Sequence, residues 1–570
     1  MSWFFGAIGN LSESDRHRFA GITSRNTLFS HTSERFLIAA GGIKDTCSYQ
    51  VTSDRSGFVI CGKGIATNSV HFLTEDEWKD IVSTNTTSDL NGHFAGIHWT
   101  ADQCTFFTDS LGLREILLYE SKGVLYFATS EEFLAPLSGH SLEIEWSTFS
   151  TRWVLATQLS LDSITKDTFR LTNGAIAVFD GTLKITPGPE LYNENIDSGN
   201  TIEDELLSLV EIVKTIDKPL HLTLSGGLDS RLLLSFLLTG KPCTFDAYTF
   251  GQPTHPDVLI AKEIANDFNI SFHTRTFEFP SDSYQLVDRI RTHCIAKKAV
   301  TSLSSYLEQS QYERDELKDG VIVDGGFGEI GRRRIFERQR VRNVQELLSG
   351  DPNLIFPVLD RHRSNMFKDD FNDQLALYAR NEISEYIDKV PSSKEIGVDK
   401  WLDILAVRTM LPNYIGIEQS RTDRHILNYT PFVQKRFITK MLAAPIELRK
   451  NGRLYRDIIR RRSPRLATYP LARFDSSYPF RFGALESYLW TKVKKTFSRA
   501  TSFNGRNVLL LALESYIRDT ASSKAVREFE PYDQVKIQTM IDKFYTGHAE
   551  YATEIDWWIS FELWRQSLAW

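Results

Sequence analysis

The sequence predicts an α/β protein: an N-terminal α+β sandwich, followed by an α/β domain built on a parallel sheet, with a helical C-terminal region. Three observations predict it. Residues 1 to about 190 break into short apolar strands between polar turns; residues beyond about 200 alternate strand with helix; residues beyond about 340 read mainly as helices. The pattern changes across PGPELYNENIDSGN (187–200), rich in Pro, Gly and Asn, so the division falls near residue 195, giving domains 1–195 and 196–570.

In the first part the strands are RFLIAAGGI, SGFVICGKGI, GHFAGIHW, CTFFTDS, GVLYFAT and GAIAVFDGTLKIT. The second part opens with an amphipathic helix (IEDELLSLVEIVKTI), then strand LHLTL, helix RLLLSFLLTG, strand TFDAYTF and helix DVLIAKEIANDF. Repeated βα units imply a parallel sheet covered by helices. The chain ends in the aromatic-rich helix IDWWISFELWRQSLAW.

Composition excludes several classes. With 570 residues, 41% hydrophobic and 24% charged, the chain can bury a large core and is not a disordered segment. Sixty-six Lys+Arg against 73 Asp+Glu leave a net charge of −7, which gives no global reason to bind nucleic acid or an anionic membrane. The five cysteines lack CxxC spacing, which argues for reduced thiols and a cytoplasmic location. The N-terminus has neither a basic segment nor a long apolar run, so neither secretion nor membrane insertion is expected.

The most informative segment is Leu220–Ser230, LHLTLSGGLDS, followed at once by an apolar helix. A strand delivers a Ser225-Gly226-Gly227 turn to a helix N-terminus, where backbone N–H groups can approach an anion. Neither a Walker A loop nor a GxGxxG fingerprint is present, and Asp229 beside a phosphate calls for a cation such as Mg²⁺.

This loop resembles the pyrophosphatase loop of enzymes that adenylate their substrates with ATP. Leu90–Ala95, Thr108–Arg114, Leu125–Glu131 and Ile164–Gly174 in the first part are similar to segments of the asparagine synthetase family. So are Leu411–Asn413, Tyr429–Phe432 and Phe561–Arg565 in the second. The resemblance implies an N-terminal nucleophile hydrolase-like glutaminase domain and a ligase domain using ATP and Mg²⁺. It implies a nucleotide site at Leu224, Ser225, Gly226, Gly227, Asp229, Ser230, Phe250, Gly325 and Gly326. The partners implied are a small-molecule or peptide carboxylate and ammonia or an amine, with room for a homodimer.

The sequence departs from that family in three places. Ser2 stands where the family has the cysteine nucleophile, Trp3 replaces a glycine, and Cys61–Gly64 replaces the Asn-Gly-Glu that binds glutamine. Asp109 still matches the acid for the substrate amino group. A glutaminase-inactive first domain is the expectation, since a hydroxyl needs a base that a thiol does not. In the loop Val323–Gly331 the family's metal-binding Asp falls on Gly328, leaving Glu329, ahead of Asp324, to join Asp229 at the metal. The family's lysine finds no counterpart in Tyr469–Phe474; Arg473 supplies positive charge there but not a base. Glu329 and Arg473 are the expected catalytic groups.

Two arginine runs, Arg332, Arg333, Arg334, Arg338, Arg340 and Arg342, and Arg453, Arg456, Arg460, Arg461, Arg462 and Arg465, either receive an anion or form solvated helix faces, the latter expected for most of them. The function expected is an AMP-forming, amide-bond-making ligase. Its rivals are a nucleotide-binding scaffold, a glutamine-dependent asparagine synthetase with an unusual N-terminus, and a nucleic-acid-modifying enzyme.

Overall fold

The structure, a computed structural model, describes residues 2–23, 27–53, 55–67, 69–84, 86–193, 201–276, 283–308, 317, 319–473, 475–497 and 505–569. The junction expected at residue 195, and Phe474, lie outside the described residues.

The first part holds two six-stranded antiparallel sheets. One runs β10 (Phe169–Leu171), β8 (Ile116–Ser121), β9 (Val124–Ala128), β1 (Trp3–Gly9), β3 (Phe36–Gly41) and β2 (Thr27–Thr32). The other runs β12 (Leu183–Thr186), β11 (Ile176–Phe179), β7 (Cys104–Thr108), β6 (Asn91–Trp99), β5 (Ser56–Ile65) and β4 (Cys47–Ser53). Along β1, Phe4 and Ile8 enter the core between the sheets with Val59, Ile97 and Phe106. Trp3, Phe5 and Ala7 face the other way, under helices α1 (Glu13–Ile22) and α3 (Glu131–Ser138). The second sheet is covered likewise by α2 (Glu75–Thr84), whose Trp78 and Val82 pack on Phe58, Ile60 and Phe94. The central strands of each sheet are therefore buried on both faces, which is why they read as almost unbroken apolar runs. A Cβ on Gly6 would lie 2.1 Å from the Leu37 carbonyl oxygen, so glycine lets β1 and β3 approach.

The second part is a five-stranded parallel sheet in the order β15 (Phe272–Arg275), β14 (Phe245–Phe250), β13 (Leu220–Thr223), β16 (Val321–Val323) and β17 (Leu427–Tyr429). The chain moves outward from β13 to β14 and β15, then returns to place β16 on the opposite side of β13. Strand order reverses there, and open parallel sheets bind ligands at the carboxyl ends of such a pair. Helices α5 (Ile202–Val213), α6 (Leu228–Leu237) and α7 (Pro256–Asp267) cover the sheet through Leu209, Leu233 and Ile264.

The two parts share their cores. Leu111, Leu113, Leu155 and Leu159 join the apolar cluster of the parallel-sheet domain. Phe149 and Trp153 of α4 (Trp146–Val154) pack with Trp558, Phe561 and Trp564 of the last helix, Ala552–Gln566. Polar joints lock the register: buried Asp423 meets His93 Nε2 at 2.7 Å and accepts from Arg114 Nη2 at 2.7 Å. Asn413 donates to the Gln158 carbonyl at 2.9 Å and accepts from Arg170 at 2.6 Å. Beside them, burial works to raise the Glu115 pKa, and Lys298 and Arg170 more than reverse it, holding it below the usual carboxylate range.

All five cysteines are free thiols. Among the described residues, no helix is long and apolar enough to cross a membrane.

Candidate active site

Strand β13 ends at the loop Leu224–Gly227, and α6 begins immediately after it. The loop braces itself: Ser225 N donates to Ser230 Oγ at 3.1 Å and Gly227 N to Ser225 Oγ at 3.1 Å. Gly226 N donates to Asp257 Oδ1 at 2.9 Å. No side chain caps α6, whose N-cap is Gly227, so the positive end of the helix faces the crevice with its first amides available to an anion.

The second glycine loop leaves the adjacent strand, β16, and interlocks with the first. A Cβ on Gly325 would lie 3.3 Å from Ser230 N, and one on Gly328 only 2.6 Å from Asp229 Cγ. Glycine at 328, the position of the acid in the family the sequence resembles, is thus what allows the loops to touch. Phe327, at φ 63°, then turns the chain so that Glu329 points outward.

The strand ends and both loops enclose a cavity of about 560 Å³. Of the residues expected from sequence, Leu224, Ser225, Asp229, Ser230, Phe250, Asp324, Gly325 and Gly326 line it, joined by Thr223, Tyr248 and Asn428. Gly226 and Gly227 form the turn behind it. Glu329, expected ahead of Asp324 at the metal, is not in the lining, and its side chain is 57% exposed.

The two carboxylates facing the cavity are electrostatically unsettled. Burial raises the pKa of Asp324, against hydrogen bonds from Thr223 Oγ1 (3.0 Å) and the amides of Gly325 and Gly326. Burial also raises that of Asp229, against the Arg332 guanidinium paired with it, and Asp229 Oδ1 is buried without a hydrogen-bond partner. A cation between them would relieve both. Among the described residues no group of three or more His, Cys, Asp or Glu side chains is placed to hold a metal ion. Two carboxylates completed by phosphate oxygens suit Mg²⁺.

Behind the first loop lies a second, basic cavity of about 150 Å³, bounded by Gly227 and Leu228 and lined by Arg332, Arg333, Arg334, Arg340 and Arg456. The structure thus brings members of both arginine runs to one place. Arg338, Arg342, Arg453, Arg460, Arg461 and Arg465 are exposed, as helix-face residues should be, whereas the other six are buried or half-buried. The hairpin β18 (Leu471–Arg473) and β19 (Ser476–Tyr478) forms one wall, with Ala472 N donating to the Gly226 carbonyl at 2.9 Å. Arg473 beside it donates to Ser487 Oγ at 2.9 Å.

Three contributors were not anticipated from the sequence. Asp257 holds the Gly226 amide, Arg332 neutralises Asp229, and Arg231, fully buried, donates to the carbonyls of Tyr469 (2.9 Å) and Pro470 (2.7 Å). The last had a signal: an arginine directly after SGGLDS, inside an apolar helix, must find buried acceptors.

The first part has a different kind of pocket. Ser2 is fully buried, and its carbonyl accepts from Arg114 Nη1 at 2.9 Å. The Asp109 carboxylate is consumed by four backbone amides, those of Phe94 (3.2 Å), Leu111 (3.1 Å), Leu113 (2.9 Å) and Arg114 (2.9 Å). Cys61 is buried opposite Cys47 on the neighbouring strand, and burial lowers the Lys63 pKa.

A doubly covered antiparallel sandwich joined to a parallel sheet, with glycine loops at its switch point, defines a two-part protein with an α/β nucleotide-type crevice. Residues 201–305, which carry the first loop and strands β13 to β15, match the family model for asparagine synthase. Asp324, Glu329 and Arg473 lie beyond the matched segment. Among solved structures, the chain is similar to glutamine phosphoribosylpyrophosphate amidotransferase from B. subtilis complexed with ADP and GMP, at 12% identity, covering 58% of this chain and 77% of that one, with a TM-score of 0.20. It is similar also to an allosteric regulatory enzyme of purine biosynthesis, at 12% identity, covering 56% of this chain and 74% of that one, with a TM-score of 0.20. Superpositions this loose carry no structural argument. No curated protein sequence matches the chain.

Proposed function

We propose that the protein joins a carboxylate to a nitrogen nucleophile, using ATP to make an acyl-adenylate. The observation that carries this reading is the pair of interlocked glycine loops at the β13/β16 switch point, with Asp229 and Asp324 facing one cavity. Phe250 and Leu224 offer an apolar wall to a base, and the first amides of α6 meet the phosphates. Asp229 and Asp324 would hold Mg²⁺, with Glu329 too exposed to join them without a loop movement; when bound, the ion neutralises phosphate charge.

The substrate carboxylate attacks the α-phosphorus, and the bond to the bridging oxygen of the β-phosphate breaks. The arginines of the basic cavity lie directly behind the loop, where the departing pyrophosphate carries its charge. An amine or ammonia then attacks the acyl carbon and AMP leaves. Arg473 keeps its charge at neutral pH and so contributes a positive field, while the incoming amine loses its proton to another acceptor.

The first part serves as a scaffold in this reading and does not hydrolyse glutamine. Ser2 is sealed from solvent, and Asp109, spent on four amides, has no oxygen left for a substrate ammonium. One observation favours a second reading, a nucleotide-binding scaffold without turnover: Arg332 already sits on Asp229, where a metal would bind. Incubation with Mg-ATP, ammonia and a panel of sugar acids, amino acids and peptides separates the two. AMP and pyrophosphate formed in step with an amide support the ligase; ADP with phosphate overturns it. Nucleotide binding with no hydrolysis across the panel supports the scaffold.

A further inference from the structure

We propose that a basic cavity at the junction of α4 with the C-terminal helices binds a phosphate monoester, at a site separate from the nucleotide cavity. This cavity has a volume of about 460 Å³, large enough for a small metabolite and far larger than a bare ion needs. Its lining shares no residue with either cavity at the glycine loops.

Arg152, Arg361 and Arg363 converge on it, and its lining contains no Asp or Glu. Two further basic side chains there already have acidic partners: Arg506 pairs with Asp556 at 3.1 Å and His362 lies 3.8 Å from Glu554. The side chains of the three arginines donate hydrogen bonds only to neutral acceptors. Arg152 donates to Gln158 Oε1 at 2.8 Å and to the Lys298 carbonyl at 3.1 Å. Arg363 donates to the carbonyls of Trp153 and Leu155, stacks on Trp557 at 4.7 Å, and keeps a buried Nε with no acceptor. Arg361 reaches only the carbonyl of Asp360.

Arg152 is 4% exposed and Arg363 8% exposed, so both charges have left water, and neither forms a salt bridge; only the fields of Asp360 on Arg363 and of Glu115 and Glu131 on Arg152 offset that burial. The nearest acids to Arg152, Glu115 and Glu131, are bonded to Lys298 instead. Burial, with the charge of the neighbouring arginines, pulls Arg363 down to about 9, and burial pulls Arg152 down to about 10. Both remain protonated at neutral pH. Three mutually repelling guanidinium groups are costly to assemble unless an anion completes them.

The geometry selects the anion. Guanidinium forks pair with the oxygens of a phosphate group, and a monoester carries close to two negative charges against three positive ones. Hydroxyls of Thr301 and Ser302 on the same wall suit a polyol attached to it, and the Arg363–Trp557 stack closes one side.

Glucose 6-phosphate is the probe, titrated calorimetrically into the full chain with Mg²⁺ and saturating α,β-methylene-ATP, which keeps the glycine-loop sites filled. One-to-one binding is expected, weakened at least about fivefold by Arg361→Gln and by Arg363→Lys, because each loses a charge or a fork. Arg334→Gln, in the other basic cavity, should leave it unchanged. Glucuronate, a monoanion of similar size, should bind at least about tenfold more weakly. No binding of glucose 6-phosphate, equal affinity in Arg361→Gln, or glucuronate binding as tightly would each overturn the proposal. Arg361 is exposed and bonded only to its neighbour's carbonyl, so its variant keeps the test valid if Arg363→Lys fails to fold.

Discussion

The pocket of Ser2 and the crevice of Ser225–Ser230 are both built at strand ends beside glycines, yet their carboxylates end in opposite states. In the first, every oxygen of Asp109 is taken by a backbone amide, Arg114 is divided between the Ser2 carbonyl and Asp423, and Ser2 has no exposed surface. In the second, Asp229 keeps a buried oxygen without a partner, Asp324 faces a cavity, and the N-terminus of α6 is uncapped. A carboxylate whose oxygens are all taken has none left for a ligand, even where its pocket keeps other unpartnered atoms such as Ser2 Oγ; one with a free oxygen can still take a cation.

The largest effect that would sharpen this contrast concerns the two carboxylates of the crevice. Asp324→Asn and Asp229→Ala should each reduce pyrophosphate release at least about a hundredfold, with circular dichroism unchanged for Asp324→Asn. Glu329→Gln, altering an exposed group, should cost less than about threefold at saturating Mg²⁺. If Glu329→Gln matches Asp324→Asn in its loss, the outward placement of Glu329 does not describe the working enzyme.

Next comes the joint between the two regions. Asp423→Ala leaves Arg114 and His93 buried without their carboxylate and should destabilise the protein by about 3–5 kcal/mol. Urea denaturation reads this directly. A loss below about 1 kcal/mol would mean that the apolar contacts alone hold the two parts in register.

Acidity tests whether Asp109 is structural. Burial raises it to about 6 from 3.8, against the amides that favour its ionised form. The folded protein therefore binds this proton more tightly than the unfolded chain does, so stability is highest below the unfolded value. It should fall by up to about 3 kcal/mol as pH rises from about 4 to about 6, and stay level above that window. Asp109→Asn cannot titrate, and the difference between the two proteins in urea midpoint at pH 4.5 and pH 6.5 isolates the slope. Identical slopes would show that the four amides already keep Asp109 ionised.

The smallest expected effect is the most pointed. Ser2→Cys restores a thiol but not access or a binding acid, so glutamate release from glutamine should stay at the level of Ser2→Ala. Measurable glutaminase activity in Ser2→Cys would show that the first pocket opens in solution.

Much of this arrangement could be read directly from the chain. Apolar runs such as FVICGKGI and LHLTL place strands, because these central strands are covered on both faces and little polar alternation interrupts them. SGGLDS between a strand and an apolar helix marks a glycine turn at a helix N-terminus through local sequence alone. Other elements were not legible. Strand β1 lies at the centre of its sheet, but WFFGAIG opens the chain, where no preceding turn announces it. Strand β17 has three residues, too few for any periodicity, and completes the parallel sheet only because β16 is there to pair with it.

The sequence by itself determined the change from short strands to strand–helix alternation, the glycine turn at 225–230 and the serine at position 2. All of these depend on residues close together in the chain. Only the tertiary structure decided that Asp324 rather than Glu329 faces the crevice, because that depends on a left-handed turn at Phe327 and on Gly328 pressing against Asp229. It also decided which arginines leave the surface. Arg332 finds Asp229 a hundred residues away, and Arg152, Arg361 and Arg363 meet across separate elements, since charges pair or repel by distance in space, which spacing along the chain does not encode.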